Sequence, residues 1–207
     1  MSYLPCELHC HTIHSDGDFT VSELQKAAVD DHLAIIALTD HNTFSGWDEL
    51  DDNIIPAIRG IEWTTYFGHM LVLGANDFVD WRDAQPDNID EKIKQVKAVG
   101  GIVGIAHPYQ LGSPLCTGGR WEFNVRDWRN VDYIEVWHQN LYSAKRENER
   151  ALELWTSLLD KGYKIAATYG RDWHREETSG HYGCTHVDVD DISAKSVMRA
   201  IRLGKTV

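Results

Sequence analysis

An α/β fold whose strands close into a barrel is predicted by two features of the 207-residue chain. Apolar strand-like runs alternate with helical segments about seven times, the pattern of a parallel sheet with crossover helices. A histidine or carboxylate then stands at or just past the end of nearly every strand. In an open sheet such residues form a line, whereas in a barrel they form a ring around one pocket.

Taken in order, a short apolar start runs into ELHCHTIHSDG (7–17). His9 and His11, two apart, project from the same face of a strand, where two neutral imidazoles can converge on one ion. On its own the pair fits a solvated polar turn equally well. Thr20 with Glu23 forms a capping box that opens the helix VSELQKAAVDDHL. LAIIALT (33–39) is a buried strand ending in TDH, where Asp40 and His41 are costly without partners. Asp40 suits a carboxylate that orients a ligating histidine. IIPAIRGIEW (54–63) places Glu62 at a strand end, where ligation and an ion pair with Arg59 both remain open. His69 begins the strand HMLVLG (69–74) rather than ending it, which an ordinary strand-start histidine also satisfies. NIDEKIKQVKAVG is a helix that stops on glycines, and the strand GIVGIAH (101–107) delivers His107 just before Pro108, which fixes the chain there. VDYIEVW (131–137) carries Glu135 and precedes His138, and Gly162 stops the long helix SAKRENERALELWTSLLDKG. YKIAATYG (163–170) leads into GRDWH, a second pair of the His9–His11 kind, formed by Asp172 and His174. Ser193 caps a last helix that ends at Gly204.

With 43% hydrophobic residues, the composition suits one core and hence one domain over 1–207. No apolar run reaches the ~18 residues of a membrane span, and the start lacks the pattern of a signal peptide, so a cytoplasmic location is expected. A formal charge of −12 excludes general nucleic-acid binding. Divalent cations would still make a positive site inside an acidic protein. Cys6, Cys10, Cys116 and Cys184 form no C-x-x-C pair and read as reduced packing residues. Of the tryptophans, Trp128, Trp137 and Trp155 lie in apolar contexts as core, while Trp121, Trp173 and Tyr109 sit on rim loops beside a substrate ring. Arg120 and Arg171, also on rim loops, suit phosphate clamps or surface ion pairs.

The segments HCHTIHSDG, TDHN, GIEWTTYFGHMLVLG, IAHP, IEVWHQN and GRDWH follow the order and spacing of the PHP (polymerase and histidinol phosphatase) superfamily, which the chain resembles from residue 6 to about 175. Within it the GHMLVLG segment and the tryptophan-bearing helix are most similar to the carbaryl-hydrolase-like branch. Arg171 stands where the family usually has a small residue. The resemblance implies a distorted seven-stranded (β/α)7 barrel with two or three divalent metal ions at its C-terminal rim. It implies one ion on His9, His11, Glu62 and Asp172, with Glu62 bridging to a second held by His69 and His107. A third would sit on Asp16, His41 and His174. Imidazole and carboxylate donors without thiolate suit Zn, Mn or Fe. The implied activity is hydrolysis of a small phosphate ester, such as a nucleotide or sugar phosphate, by a metal-bound hydroxide. Asp172 or His174 would serve the leaving group as acid, and Arg120, Arg171 and His138 are the candidates for touching substrate. Carbamate or carboxylic ester hydrolysis at the same site is the alternative. A non-catalytic metal-stabilised module is a third reading, against which the complete ligand set argues.

Overall fold

Strand β1 (Ser2–Cys10) lies at the centre of the closure, paired in parallel with β2 (Ile35–Leu38) and antiparallel with β8 (Thr185–Val189). A computed structural model describes residues 2–112, 118, 120–139, 144–176 and 182–207. The other strands are β3 (Ala57–Thr65), β4 (Gly68–Leu73), β5 (Ile102–Ile105), β6 (Tyr133–His138) and β7 (Ala166–Gly170). They form one eight-stranded sheet in the order β7-β6-β5-β4-β3-β2-β1-β8. The sheet curls until its ends nearly meet. The Tyr169 amide of β7 donates to Thr185 Oγ1 of β8 at 2.9 Å, and beyond β7 the Trp173 amide donates to the His9 carbonyl at 3.0 Å.

The barrel thus differs from seven parallel strands each followed by a helix. Four α-helices are described: α1 (Val21–Asp30), α2 (Ile89–Ala98), α3 (Lys145–Asp160) and α4 (Ala194–Arg202). β3, β4 and β5 form an antiparallel meander. Thr65 pairs with Gly68 across the turn, which is too tight for a helix. β8, with the sequence THVDV, is the strand the sequence reading lacks. Helix ends follow the local chemistry: the Thr20–Glu23 capping box is present on α1, and Ser193 accepts from the Ser196 amide on α4.

Three apolar clusters hold the barrel. Ile61, Trp63, Val103 and Ile134 face outward under α2 and α3. Cys10, Ile36 and Leu38 face α1. Ile58, Leu71, Leu73, Tyr133 and Ala166 fill the interior, where Val197, Ala200 and Ile201 of α4 seal the floor. Gly104 makes the interior possible, since a Cβ there would lie 2.0 Å from the Tyr133 ring. The described cysteines, Cys6, Cys10 and Cys184, are free thiols, as expected, and Cys116 lies outside the described residues. No helix among the described residues is long and apolar enough to cross a membrane.

Candidate metal centre

Side chains on one face of each strand turn from apolar at the floor to titratable at the rim. On β3 Ile58 points inward low down and Glu62 higher up, and on β6 Tyr133 is followed by Glu135. β4 runs the other way, so its first residues lie at the rim. This explains why His69 opens its strand and still meets Glu62, with Nδ1 2.9 Å from Glu62 Oε1. The pairing of β1 with β2 shifts register between Glu7 and Cys10, and that of β6 with β7 between Glu135 and Trp137. Such irregularities re-aim side chains beside functional sites. Here they flank His9 and Glu135. Backbone strain gathers in the same place, since His107 and Asp172 have φ of 27° and 53°.

Four donor atoms face one another at the centre. His9 Nε2 lies 3.2 Å from Glu62 Oε2 and 3.3 Å from Asp172 Oδ1, and His11 Nε2 lies 3.5 Å and 3.0 Å from the same two oxygens. All four atoms are buried and none has a hydrogen-bond partner. Unpartnered buried polar atoms are costly, and four aimed at one point could together hold a cation. Their spacing agrees, because tetrahedral bonds of about 2.1 Å set neighbouring donors about 3.4 Å apart. Glu62 Oε1 faces a second group, 2.9 Å from His69 Nδ1 and 3.1 Å from His107 Nε2. Asp16 Oδ1 gathers a third, 3.1 Å from His174 Nε2 and 3.4 Å from His41 Nε2. In each group the donor atoms lie close enough together to share one ion.

Neighbouring residues fix the rings. His9 Nδ1 is 2.8 Å from Glu135 Oε1, which assigns the proton to Nδ1 and leaves Nε2 free to face Glu62 and Asp172. Glu135 also accepts from the His107 amide at 2.9 Å. Its carboxylate fits only because residue 170 is glycine, where a Cβ would come within 2.0 Å of it. His174 Nδ1 donates to the Asp172 carbonyl at 2.7 Å, turning Nε2 toward Asp16. The His41 Nδ1 edge meets Thr64 Oγ1.

Without cations the charges lean on one another. Burial pushes His11 down to about 4. Burial also works against His41, yet Asp16 and Glu62 outweigh it and raise His41 to about 10. His9 is likewise held well above its usual value, because Glu135, Glu62 and Asp172 outweigh its burial. Glu62 and Asp172 lie well below the usual carboxylate range despite burial, chiefly through His9. For His138 burial acts downward, and His107 adds to it.

A family model for the PHP domain matches residues 7–102. The uncharacterized protein MJ1295 of Methanocaldococcus jannaschii is 30% identical over 110 residues, which are 53% of this chain and 48% of that protein. Among solved structures, a two-domain protein of Bacteroides vulgatus, described as containing a predicted PHP-like metal-dependent phosphoesterase, superposes with a TM-score of 0.74 at 20% identity. That match covers 99% of this chain and 64% of that one. An amidohydrolase from Chromobacterium violaceum with bound sulfate and no metal gives 0.57 at 18% identity, covering 98% and 97%. The chain therefore spans about half of MJ1295 and less than two thirds of the Bacteroides structure. At these identities the structural likeness speaks for the fold.

Within and beyond the matched segment, the structure brings together His9, His11, Asp16, His41, Glu62, His69, His107, Asp172 and His174. The fit to metal rests on the orphaned donor atoms. The substrate candidates fare differently. His138 is buried beside the cluster, its Nε2 3.8 Å from Asp172 Oδ2. Arg171 points elsewhere: Nη1 donates to Asp31 at 2.6 Å and the guanidinium lies 4.4 Å from the Trp173 ring. Its neighbours in sequence face the rim, but alternation turns its own side chain to the outer wall beside α1. Arg120 is exposed and does not line the rim cleft either. That cleft, about 600 Å3, is lined beyond the metal-type residues by Asn42, Thr64, Gln110 and Gln139 among others, with no arginine among the described residues. Trp173 is buried against Phe19 and cannot flank a substrate, whereas Trp137 is 39% exposed rather than core. Tyr109 is covered by Arg150. Among the described residues Asp40 bonds no histidine. It accepts from the Thr12 amide and hydroxyl and from Ser15, holding the loop after β1.

Two contributors escaped the sequence reading. Glu135 lay near the pocket without a role, although its place two residues into an apolar strand and beside a glycine-ended neighbour was the available signal. Thr64 carried no signal, because a threonine two residues past a glutamate is ordinary in a strand.

Proposed function

We propose that the rim is a metal-dependent hydrolytic centre acting on a small phosphate ester such as a nucleotide or sugar phosphate. The observation that carries this reading is the set of four buried, facing and unpartnered atoms on His9, His11, Glu62 and Asp172. The PHP match and the phosphoesterase description of the Bacteroides structure support it. Divalent cations held there, of the Zn, Mn or Fe kind, would act as Lewis acids on a phosphoryl oxygen and make water nucleophilic near neutral pH.

The chain's own residues supply the arrangement. Glu62 Oε2 faces His9 and His11 while Oε1 faces His69 and His107, so one carboxylate would serve both donor groups. Glu135 and the Asp172 carbonyl set the tautomers of His9 and His174, so that neutral imidazole nitrogens point inward. Asp172 and His174 are partly exposed to the cleft, with side-chain exposures of 14% and 20%. They therefore sit where a leaving oxygen would emerge, and His174 would pass it a proton only where Nε2 holds no cation. Asn42, Thr64, Gln110 and Gln139 offer neutral donors to the remainder of the substrate.

The test is a panel of aryl phosphate monoesters, phosphodiesters and aryl carbamates with metal-loaded protein. A phosphate ester should be turned over fastest, and inorganic phosphate should inhibit competitively. A carbamate turned over faster, with no inhibition by phosphate, would transfer the site to carbonyl substrates, for which a lining without arginine among the described residues is also suited.

A further inference from the structure

At the opposite end of the barrel a second cleft, of about 810 Å3, opens between the start of β3, the end of β4 and α4. Its charge is the reverse of the protein's. Four cations, Arg59, Lys195, Arg199 and Arg202, line it with one carboxylate, Asp52, in a chain of 20 basic and 32 acidic residues. Asp52 is occupied with the Ala57 amide at 3.2 Å. Arg202 is occupied as well, donating to the Gly100 and Gly101 carbonyls at 2.8 and 2.9 Å. Among the described residues, Arg59, Lys195 and Arg199 have no carboxylate within 4.0 Å, and all three are exposed. Lys195 and Arg199 stand one turn apart on α4, with Cβ atoms about 6 Å apart. Such a pair repels itself unless an anion lies between the two heads.

The cleft is built rather than incidental. Gly74 has φ of 65°, and a Cβ there would lie 2.3 Å from Met198 Sδ, so the glycine is what lets α4 seat against the end of β4. Met198 and Trp47 add apolar wall beside the cations. We propose that this floor cleft binds a small ligand carrying two or more phosphate groups. Guanidinium forks match phosphate oxygens in pairs, and a multivalent anion answers three unpaired cations at once. The site is separate from the rim. Arg59 and Glu62 are three residues apart on β3, about 10 Å, and on opposite faces of the sheet.

The test titrates pyrophosphate and ATP calorimetrically into the full chain, stripped of metal by chelator that is then dialysed away, so that rim cations contribute nothing. Both probes should bind at one site, more weakly as salt rises. The double variant Arg59→Glu/Arg199→Glu should lose at least roughly tenfold in affinity. Lys26→Glu/Lys94→Glu, which changes net charge equally at exposed positions elsewhere, should keep it. Comparing ATP with pyrophosphate separates a nucleotide from an inorganic source. Equal loss in both double variants would assign binding to net charge and overturn the site. So would wild-type binding by Arg59→Glu/Arg199→Glu with an unchanged melting temperature, or no binding of either probe to the wild type.

Discussion

The rim and the floor of this barrel use the same strand faces for opposite purposes. Low on β3, β4 and β6, Ile58, Leu71 and Tyr133 are fully buried in an apolar cluster that α4 closes. On the same faces Glu62, His69 and Glu135 are also buried, but among other charged or titratable groups. Burial of this kind costs several kcal/mol per ion unless partners answer it, so the rim gives up stability that the floor supplies. In a site organised in this way the floor sets the strand positions and the strands set the donors.

The largest expected effect lies at the rim. Glu62→Gln should reduce turnover by about 10³-fold or more and lower metal occupancy, since the amide cannot serve two groups with anionic oxygens. Cys184→Ser should leave both unchanged. Occupancy and rate at wild-type level in the Glu62 variant would remove it from the centre of the account. At the floor, Leu71→Ala should cost about 2–5 kcal/mol in denaturant unfolding while keeping metal stoichiometry. Loss of metal without loss of stability would show that the two regions are not divided in this way. Glu135→Gln should fall between them in its effect on the centre, weakening metal binding by about 10–100-fold, because it orients His9 without facing the four-donor group.

A pH effect follows from His41. In the metal-free protein Asp16 and Glu62, against burial, hold it at about 10, so it carries a proton at neutral pH that a cation must displace. Metal affinity should therefore fall as pH is lowered from 8 to 6, by about tenfold per unit for each proton displaced. Titrations in buffers of different ionisation enthalpy should show the released proton, and pH-independent affinity would contradict the assignment. Smallest of all is Arg171→Ala. With its guanidinium on Asp31 and Trp173, this variant should lower stability by about 1 kcal/mol and leave KM for a phosphate ester unchanged. A large rise in KM would place Arg171 at the substrate after all.

Much of the architecture was legible because the signals were local. Capping residues, glycine stops and apolar runs located all four helices and seven of the strands. β8 was missed because THVDV is short and half polar, and its pairing with β1 spans nearly the whole chain. The antiparallel course of β4 was hidden for a related reason: strand direction depends on the connection, and alternation of side chains is the same either way. At the site, residue type and position at strand ends singled out His9, His11, His41, Glu62, His107, Asp172 and His174, and the resemblance to the PHP superfamily added Asp16 and His69. Arg171 did not follow, since a one-residue step along a strand end turns a side chain to the other face. Sequence neighbours of Asp172 therefore say nothing about which wall they line.

Metal content tests the central claim most directly. Protein purified without chelator, or reloaded with Zn or Mn and passed through a desalting column, should hold at least two ions per chain by elemental analysis, and Glu62→Gln should hold fewer. A chain that retains none under either condition would contradict the reading of the rim, because its four buried donor atoms would then face one another for some other reason.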